Sequence, residues 1–264
     1  MRIAVINLHD AVDRRQNVLQ VLKGTNHSMG FFQAHRFNSP LNDIFSFDKQ
    51  ELDEVYSFKL LFGSTRPLSQ GEVGCASSHV SLCKMFLESD MEWICILEDD
   101  IVIPNLKLFD DVLARIENKE WDGDLFYLGA LRRTKLKSRL DRVLILIKSI
   151  IRILLALPKL WRCPTSFLEF TFQSVRESNI NPSPTQNFWC EAGMHDGTHG
   201  YVINRRAAME IIRWNESLIF RSDELLSFLT FRRCIDSFVK LPEIVFQNVT
   251  FESQIGNNIQ SRTE

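Results

Sequence analysis

Glycine and proline are scarce in this chain, which has 11 and 8 of them among 264 residues. Collagen-like and other low-complexity proteins need far more of both. Excess charge is also missing, because 31 Lys and Arg residues nearly balance 33 Asp and Glu residues. Together with 45% hydrophobic residues, this balance excludes an intrinsically disordered protein. We therefore expect a folded chain. Its length suits one α/β domain with insertions as well as two domains, and we predict a single domain over residues 1–264.

Signals for secretion are also lacking. The apolar run from Met1 to Leu8 is too short for the hydrophobic region of a signal peptide, and charged residues follow it at once. The six cysteines show no C-x-x-C spacing, which favours buried free thiols over a structural zinc site or disulfides. Both observations predict a cytoplasmic protein.

The first third of the chain has the pattern of a βαβ unit. A buried strand is predicted over Arg2–Leu8, and a helix over Val12–Leu22 that ends at Gly24. A second strand, parallel to the first, is predicted over Phe31–Phe37. Residues 38–70 contain several residues that break helices and strands, and they show neither helical nor strand periodicity. We therefore expect irregular structure there.

Amphipathic and apolar segments continue to alternate further along. Helices are predicted over Ser78–Glu88, Asn105–Glu117 and Asn204–Trp214, and strands over Trp93–Leu97, Asp124–Leu128 and Thr198–Ile203. Asn204 is the expected N-cap of its helix. This alternation is typical of the α/β class.

Three consecutive acids, Glu98, Asp99 and Asp100, directly follow the strand predicted at Trp93–Leu97. Close carboxylates repel one another unless a positive charge lies among them. In open α/β sheets, ligands bind at the carboxyl ends of strands, where these acids are expected. Carboxylate oxygens suit Mg²⁺ or Mn²⁺, so the pattern favours a divalent metal site. The alternative is a solvated acidic turn.

Several motifs together resemble glycosyltransferase family 25, which includes the bacterial lipooligosaccharide galactosyltransferases and relatives of the collagen galactosyltransferases. The resemblance covers about residues 1–130 and 195–255. The matching segments are Val5–Leu8, Asp13–Arg15, Gln70–His79, Ile96–Asp100, His199–Ala208 and Arg221–Glu224.

The resemblance implies an A-type glycosyltransferase fold, a Rossmann-like nucleotide-sugar-binding sheet with flanking helices. It also implies inverting transfer of galactose from UDP-galactose to a hydroxyl of a lipooligosaccharide or lipopolysaccharide core sugar. The expected partners are therefore a UDP-sugar donor and a lipid-linked oligosaccharide acceptor, and no nucleic acid. A nucleotidyltransferase is a weaker alternative, because the chain lacks a Gly-rich phosphate-binding signature.

The same resemblance assigns roles to individual residues. Those expected at the UDP-sugar are Asn7, Leu8, Arg14, Glu72, Ser78 and His79. Those expected to hold Mn²⁺ or Mg²⁺ are Glu98, Asp99 and Asp100, although which two contact the metal stays open. Asp223 is the first candidate for the catalytic base and Asp196 the second, and an extra metal ligand would have to be His195 or His199.

Ordinary structural roles compete with these assignments. Arg14 and His79 could be a solvated arginine and a satisfied histidine at helix starts, and Ser78 could cap a helix that begins there. Asp223 and Asp196 could be helix caps or surface acids.

A basic amphipathic insert is expected within the domain at residues 132–190. Its part from Arg132 to Arg162 has ten basic residues and one acid, a local charge of +9 in a chain of net charge −2. On a helical wheel Lys148, Arg152 and Lys159 share one side and apolar residues the other. This pattern indicates an interfacial helix on an anionic membrane surface. The alternatives are packing on the domain itself or on a second subunit in a homodimer.

Two functions of different classes follow. The first is a galactosyltransferase at the inner face of the cytoplasmic membrane, peripheral because charges interrupt the insert well short of the roughly 20 apolar residues of a membrane span. The second is a non-catalytic membrane-surface binding protein that keeps the glycosyltransferase fold. The three intact acids at residues 98–100 favour the enzyme.

Overall fold

A computed structural model describes residues 1–36, 47–61, 65–132, 147, 164–178, 180 and 188–251. The helices in this part of the chain are α1 (Val12–Val21), α2 (Lys49–Leu61), α3 (Gln70–Leu87), α4 (Leu106–Glu117), α5 (Pro164–Ser178), α6 (Arg205–Asn215) and α7 (Ser222–Phe231). The strands are β1 (Arg2–Asn7), β2 (Ser28–Gln33), β3 (Trp93–Glu98), β4 (Ile101–Val102), β5 (Leu125–Arg132), β6 (Phe188–Glu191), β7 (His195–Asn204), β8 (Ser237–Leu241) and β9 (Phe246–Gln247).

Seven strands form one mixed sheet in the order β2-β1-β3-β7-β5-β8-β6. The strands β2, β1, β3, β5 and β8 run in one direction, and β7 and β6 run in the other. The carboxyl ends of β1 and β3 therefore lie at the same edge of the sheet as the beginning of β7. The predicted α/β class is confirmed, and β4 and β9 form a separate two-stranded sheet.

Helices cover both faces of the sheet. One hydrophobic core packs α2, α3, α6 and α7 against one face, with Phe58, Phe86 and Trp214 fully buried. The other core packs α1 and α4 against the opposite face through Val18 and Phe109. The five cysteines among the described residues are free thiols, as expected, but only Cys83 and Cys95 are buried and the other three are half-buried.

The predicted βαβ opening is confirmed, since β1 and β2 are parallel and α1 connects them. The second strand begins at Ser28, three residues before its predicted start at Phe31. Gly24 follows the end of α1 with φ +92°, a conformation that glycine adopts without strain. Asn204 caps α6 as predicted, accepting a hydrogen bond from Ala207 N at 2.9 Å.

Two expectations about the region before β3 are wrong. Residues 49–61 form α2, although residues 38–70 were expected to be irregular. The helix α3 begins at Gln70, eight residues before its predicted start, because Ser69 and Glu72 form a capping box. Ser78 and His79 are consequently buried in the middle of α3 and are not helix-start residues.

The predicted basic insert lies largely outside the described residues, including Lys148, Arg152 and Lys159. Its described end is part of the domain, because α5 contributes Phe170 to a core and β6 pairs with β8. Across the described ranges, every helix is too short or too polar to span a bilayer.

Candidate active site

Side chains from four elements meet at the sheet edge where β1 and β3 end. The amide of Asn7, at the end of β1, contacts Asp99, and Glu98 at the end of β3 contacts Thr198 of β7. The first turn of α7 brings Asp223 to the backbone of Gly197 in β7. Because β1, β3 and β7 are neighbours in the sheet, residues distant in sequence converge at this edge.

Asp99 holds two other predicted site residues in place. Its Oδ1 accepts a hydrogen bond from Arg14 Nη1 at 2.7 Å, and its Oδ2 accepts one from Asn7 Nδ2 at 2.9 Å. Asp99 is 6% exposed, so these charge-assisted bonds form where water is largely excluded. Both oxygens of this carboxylate thus have protein partners.

Asp100 has a different environment. Its Oδ2 accepts a hydrogen bond from Gln247 Nε2 at 3.1 Å and lies 3.7 Å from Arg14 Nη1. Its Oδ1 is buried and has no hydrogen-bond partner among the described residues. A buried carboxylate oxygen without a partner is costly, so Oδ1 is a suitable ligand for a cation.

Among the acids of this site, Glu98 has a clearly shifted pKa. Burial and the negative charges of Asp100, Asp223 and Asp99 raise its pKa to about 7, although a hydrogen bond from Thr198 opposes the shift. A cation beside Glu98 would favour its ionised form, which burial and the neighbouring negative charges disfavour. The chemistry of this donor set therefore fits a hard divalent cation such as Mn²⁺ or Mg²⁺.

Asp223 is oriented by backbone groups. Its Oδ2 accepts a hydrogen bond from Gly197 N at 3.0 Å, and its Oδ1 accepts one from Glu224 N at 2.8 Å. Gly197 has φ +86°, and a Cβ there would lie 2.7 Å from His199 Cε1, so a side chain at this position would be strained and would displace the His199 ring. The side chain of Asp223 keeps 17% of its surface exposed, which leaves it accessible to a bound molecule.

The two histidines considered as extra metal ligands lie in different surroundings. Burial lowers the pKa of His199, and the charges of Asp100 and Asp223 oppose that shift. The His199 ring lies against Gly197, whose N–H donates to Asp223. His195 Nε2 instead lies 3.0 Å from Glu177 Oε2, and its ring packs against Tyr127. Of the two, His199 is the residue that the fold brings to the acids.

Glu72 and Ser78 make contacts within the protein. Burial alone would raise the pKa of Glu72, but hydrogen bonds from Arg66 and Ser69 outweigh it and lower the pKa to about 2. Ser78 Oγ donates to Gly74 O at 2.6 Å and accepts from His35 N at 2.8 Å. A contact of either residue with a UDP-sugar stays a prediction.

The remaining candidates lie on or beside the same strands. Leu8 follows β1, and its carbonyl accepts a hydrogen bond from Ala11 N at 3.0 Å. Asp196 is half-buried on β7 and is paired with Leu131 of β5. His79 Nδ1 lies 2.6 Å from Tyr201 Oη, and its Nε2 lies 3.9 Å from Glu98 Oε1.

Sequence reasoning missed Thr198, Tyr201 and Cys75 as neighbours of the acids. Thr198 and Tyr201 approach Glu98 and His79 only because β7 inserts antiparallel beside β3. Cys75 had a usable signal, since its spacing of four residues from His79 places both on one face of a helix.

The fold and the site define an α/β protein with an acidic, metal-compatible centre at the carboxyl ends of its strands. The chain belongs to glycosyltransferase family 25 (LPS biosynthesis protein), whose family model matches residues 1–226. The family expected from the sequence is therefore confirmed.

Two relatives illustrate the range of this similarity. The lipooligosaccharide biosynthesis protein lex-1 of Haemophilus influenzae is 24% identical over 248 residues, covering 88% of this chain and 70% of that protein. Procollagen galactosyltransferase 2 of Mus musculus is 28% identical over 141 residues, covering 49% of this chain. The match spans only 21% of the length of the mouse protein.

Proposed function

We propose that this protein is a metal-dependent glycosyltransferase that moves galactose from UDP-galactose to a hydroxyl of a lipooligosaccharide core sugar, with inversion at the anomeric carbon. Family membership supports glycosyl transfer, and the names of the bacterial and collagen relatives support the acceptor class and the sugar. An A-type fold and a location at the inner face of the cytoplasmic membrane belong to the same proposal.

One observation carries the proposal: Asn7, Glu98, Asp100, His199 and Asp223 converge at one sheet edge, where Asp100 Oδ1 has no partner from the part of the chain that the structure describes. A domain that used this fold only as a scaffold would have no reason to bury neighbouring carboxylates, since their repulsion destabilises the folded state. The arrangement is useful when a cation and a diphosphate occupy the edge.

Glu98 and Asp100 are the residues that would hold Mn²⁺ or Mg²⁺, with His199 beside them. When bound, the cation would neutralise charge on the diphosphate leaving group. Asp99 has both oxygens occupied, so its role is to position Arg14 and Asn7 at the end of β1. Arg14 would then face the phosphates with a guanidinium whose orientation is already fixed.

Asp223 is the proposed base. In an inverting transfer, the acceptor hydroxyl loses its proton to a base as its oxygen bonds to the anomeric carbon and UDP departs. Hydrogen bonds from Gly197 N and Glu224 N fix the direction of the Asp223 carboxylate. Asp196 remains the second candidate.

The test is UDP release from a panel of UDP-sugars with a core oligosaccharide acceptor, in Mn²⁺ and in excess EDTA. We expect turnover with UDP-galactose in Mn²⁺, loss of turnover in EDTA, and a product with inverted anomeric configuration by NMR. Asp100→Asn should nearly abolish turnover, whereas Asp122→Asn, an exposed acid before β5, should not.

Contrary outcomes have specific meanings. Full activity in EDTA would exclude the metal-dependent mechanism, and preference for another UDP-sugar would replace galactose. No turnover with any donor, despite binding to anionic vesicles, would favour the non-catalytic membrane-surface protein.

A further inference from the structure

A second group of side chains with possible metal-ligand atoms includes Glu98. Cys75, His79 and Glu98 each offer one such atom, and these atoms lie within 4.8 Å of one another. Cys75 and His79 are four residues apart on α3, so they share one face of that helix. Glu98 reaches them from the end of β3.

The histidine of this set provides an independent sign of a missing ligand. His79 Nε2 is buried and has no hydrogen-bond partner within the described part of the chain. The side chain of His79 is 4% exposed, so water does not readily satisfy this atom. Its Nε2 lies 3.9 Å from Glu98 Oε1, too far for a hydrogen bond.

Tyr201 holds the imidazole in a suitable orientation. Its hydroxyl lies 2.6 Å from His79 Nδ1. When Nδ1 carries the proton and donates a hydrogen bond to Tyr201 Oη, the lone pair of Nε2 faces Cys75 and Glu98. Metal-binding histidines are commonly oriented in this way by a hydrogen bond to the other ring nitrogen.

We propose that Cys75, His79 and Glu98 form a Zn²⁺ site next to the proposed Mn²⁺ or Mg²⁺ site of Glu98 and Asp100. A thiolate, an imidazole and a carboxylate are ligands that zinc prefers, whereas Mg²⁺ and Mn²⁺ prefer oxygen. Tetrahedral zinc ligands lie about 3.3–3.8 Å apart, so the three atoms need only small side-chain movements. Three protein ligands leave a fourth position for water.

The two sites share Glu98, which gives zinc a consequence for activity. Zn²⁺ on the Cys75 side would withdraw the Glu98 carboxylate from the Mn²⁺ or Mg²⁺ side. Zn²⁺ is therefore expected to inhibit transfer, an effect that rests on the proposed function. Zinc binding itself does not require that function and is measured separately.

The primary test replaces Zn²⁺ with Co²⁺ and records the absorption spectrum of the full chain in excess Mg²⁺. Mg²⁺ occupies oxygen ligands and does not compete well for a thiolate. We expect one Co²⁺ per chain and a thiolate-to-cobalt charge-transfer band in the near ultraviolet, which equimolar Zn²⁺ removes. A wild-type spectrum without this band would overturn the proposal, whatever the variants do.

Variants then locate the site. Cys75→Ala should remove the charge-transfer band and lower Zn²⁺ affinity by at least about 100-fold, a larger effect than loss of a supporting hydrogen bond. Cys83→Ala is the matched control, because Cys83 is a buried thiol eight residues further along α3. Loss of the band in Cys83→Ala, or its retention in Cys75→Ala, would contradict the assignment.

Tyr201→Phe tests how the imidazole is held. It should keep the thiolate band and weaken Zn²⁺ binding by about 10–100-fold.

Inhibition is measured last, as turnover at saturating Mn²⁺ with increasing Zn²⁺. A band with no inhibition would confirm the site and exclude the sharing of Glu98, whereas a chain inactive under all conditions would contradict only the proposed function.

Discussion

At the scale of single residues, Asp223 differs from the other site acids because backbone N–H groups bind both of its oxygens. Asp223→Asn keeps the shape of the side chain but removes its basicity. We expect kcat to fall by about 10²–10⁴, the usual contribution of a general base. The affinity for UDP should stay within a few fold, because the base acts on the acceptor.

Steady-state kinetics with Asp196→Asn measured in parallel distinguishes the two candidate bases. A kcat near wild type for Asp223→Asn and a low kcat for Asp196→Asn would transfer the role to Asp196. A large loss of UDP affinity in Asp223→Asn would show instead that this residue supports the donor site.

Asp99 and Asp100 are adjacent in sequence but should respond differently to the same substitution. Asp99→Asn disrupts buried hydrogen bonds to Arg14 and Asn7, and we expect the free energy of unfolding to fall by about 2–3 kcal/mol. Asp100→Asn removes a charge whose Oδ1 has no partner among the described residues, and the fall should be under about 1 kcal/mol.

Chemical denaturation of both variants in EDTA checks this difference without any contribution from metal. Equal destabilisation would contradict the separate roles of a positioning residue and a metal ligand. Greater destabilisation by Asp100→Asn would reverse them.

At the scale of elements, the start of α3 depends on Glu72. Its carboxylate binds Arg66 through both oxygens and also accepts a hydrogen bond from Ser69 N. Because its folded pKa of about 2 lies below its usual value of 4.5, Glu72 stabilises the fold above pH 4.5. This contribution is lost as the pH falls towards 2.

Glu72→Gln should therefore lower the free energy of unfolding by about 1–2 kcal/mol at pH 7, allowing for solvent around Arg66. Below pH 4.5 the difference from wild type should shrink. Denaturant unfolding at pH 7, 4 and 3 measures this trend, with Glu88→Gln at the other end of α3 as a control. A difference that grows at low pH would contradict the assigned sign.

How far the fold could be predicted depended on whether the signals were local. The apolar run of β1 and the N-cap of α6 by Asn204 are local, and both were predicted correctly. The start of α3 is an exception, because the capping box of Ser69 and Glu72 is a local signal that was missed. Gly71 and Gly74 weaken helix propensity in the same segment and obscured it. The antiparallel position of β7 between β3 and β5 depends on distant contacts that no local pattern contains.

The same difference between local signals and distant contacts decided how much of the site could be predicted. Three acids after a buried strand were enough to locate its centre, because the carboxyl end of a strand is a predictable place for ligands. The distinct partners of Asp99 and Asp100 required the approach of Arg14 from α1 and of Gln247 from β9. Residue type alone therefore indicated a metal site without separating the ligand from the positioning residue.

At the scale of the whole molecule, charge is unevenly distributed along the chain. The stretch from Arg132 to Arg162 carries +9, so the rest carries −11 for a net charge of −2. Each basic residue near an anionic surface contributes about 1 kcal/mol to binding, and added salt weakens this attraction. A transferase whose acceptor is linked to lipid would be held close to that acceptor by binding to the membrane surface.

Replacing Lys148, Arg152 and Lys159 with Glu tests whether this stretch binds membranes. We expect wild-type protein to co-sediment with anionic vesicles but not with neutral ones, less so in high salt, because exposed charges are screened over about 8 Å at physiological ionic strength. The triple variant should stay in the supernatant yet transfer sugar to a soluble acceptor at a similar rate. Replacing three basic residues elsewhere, Lys23, Lys49 and Lys107, with Glu is the charge-matched control and should leave vesicle binding largely unchanged. Equal binding of wild-type protein to neutral and anionic vesicles would exclude an electrostatic attachment. Binding to neither would favour packing of the apolar side of this stretch on the domain or on a second subunit.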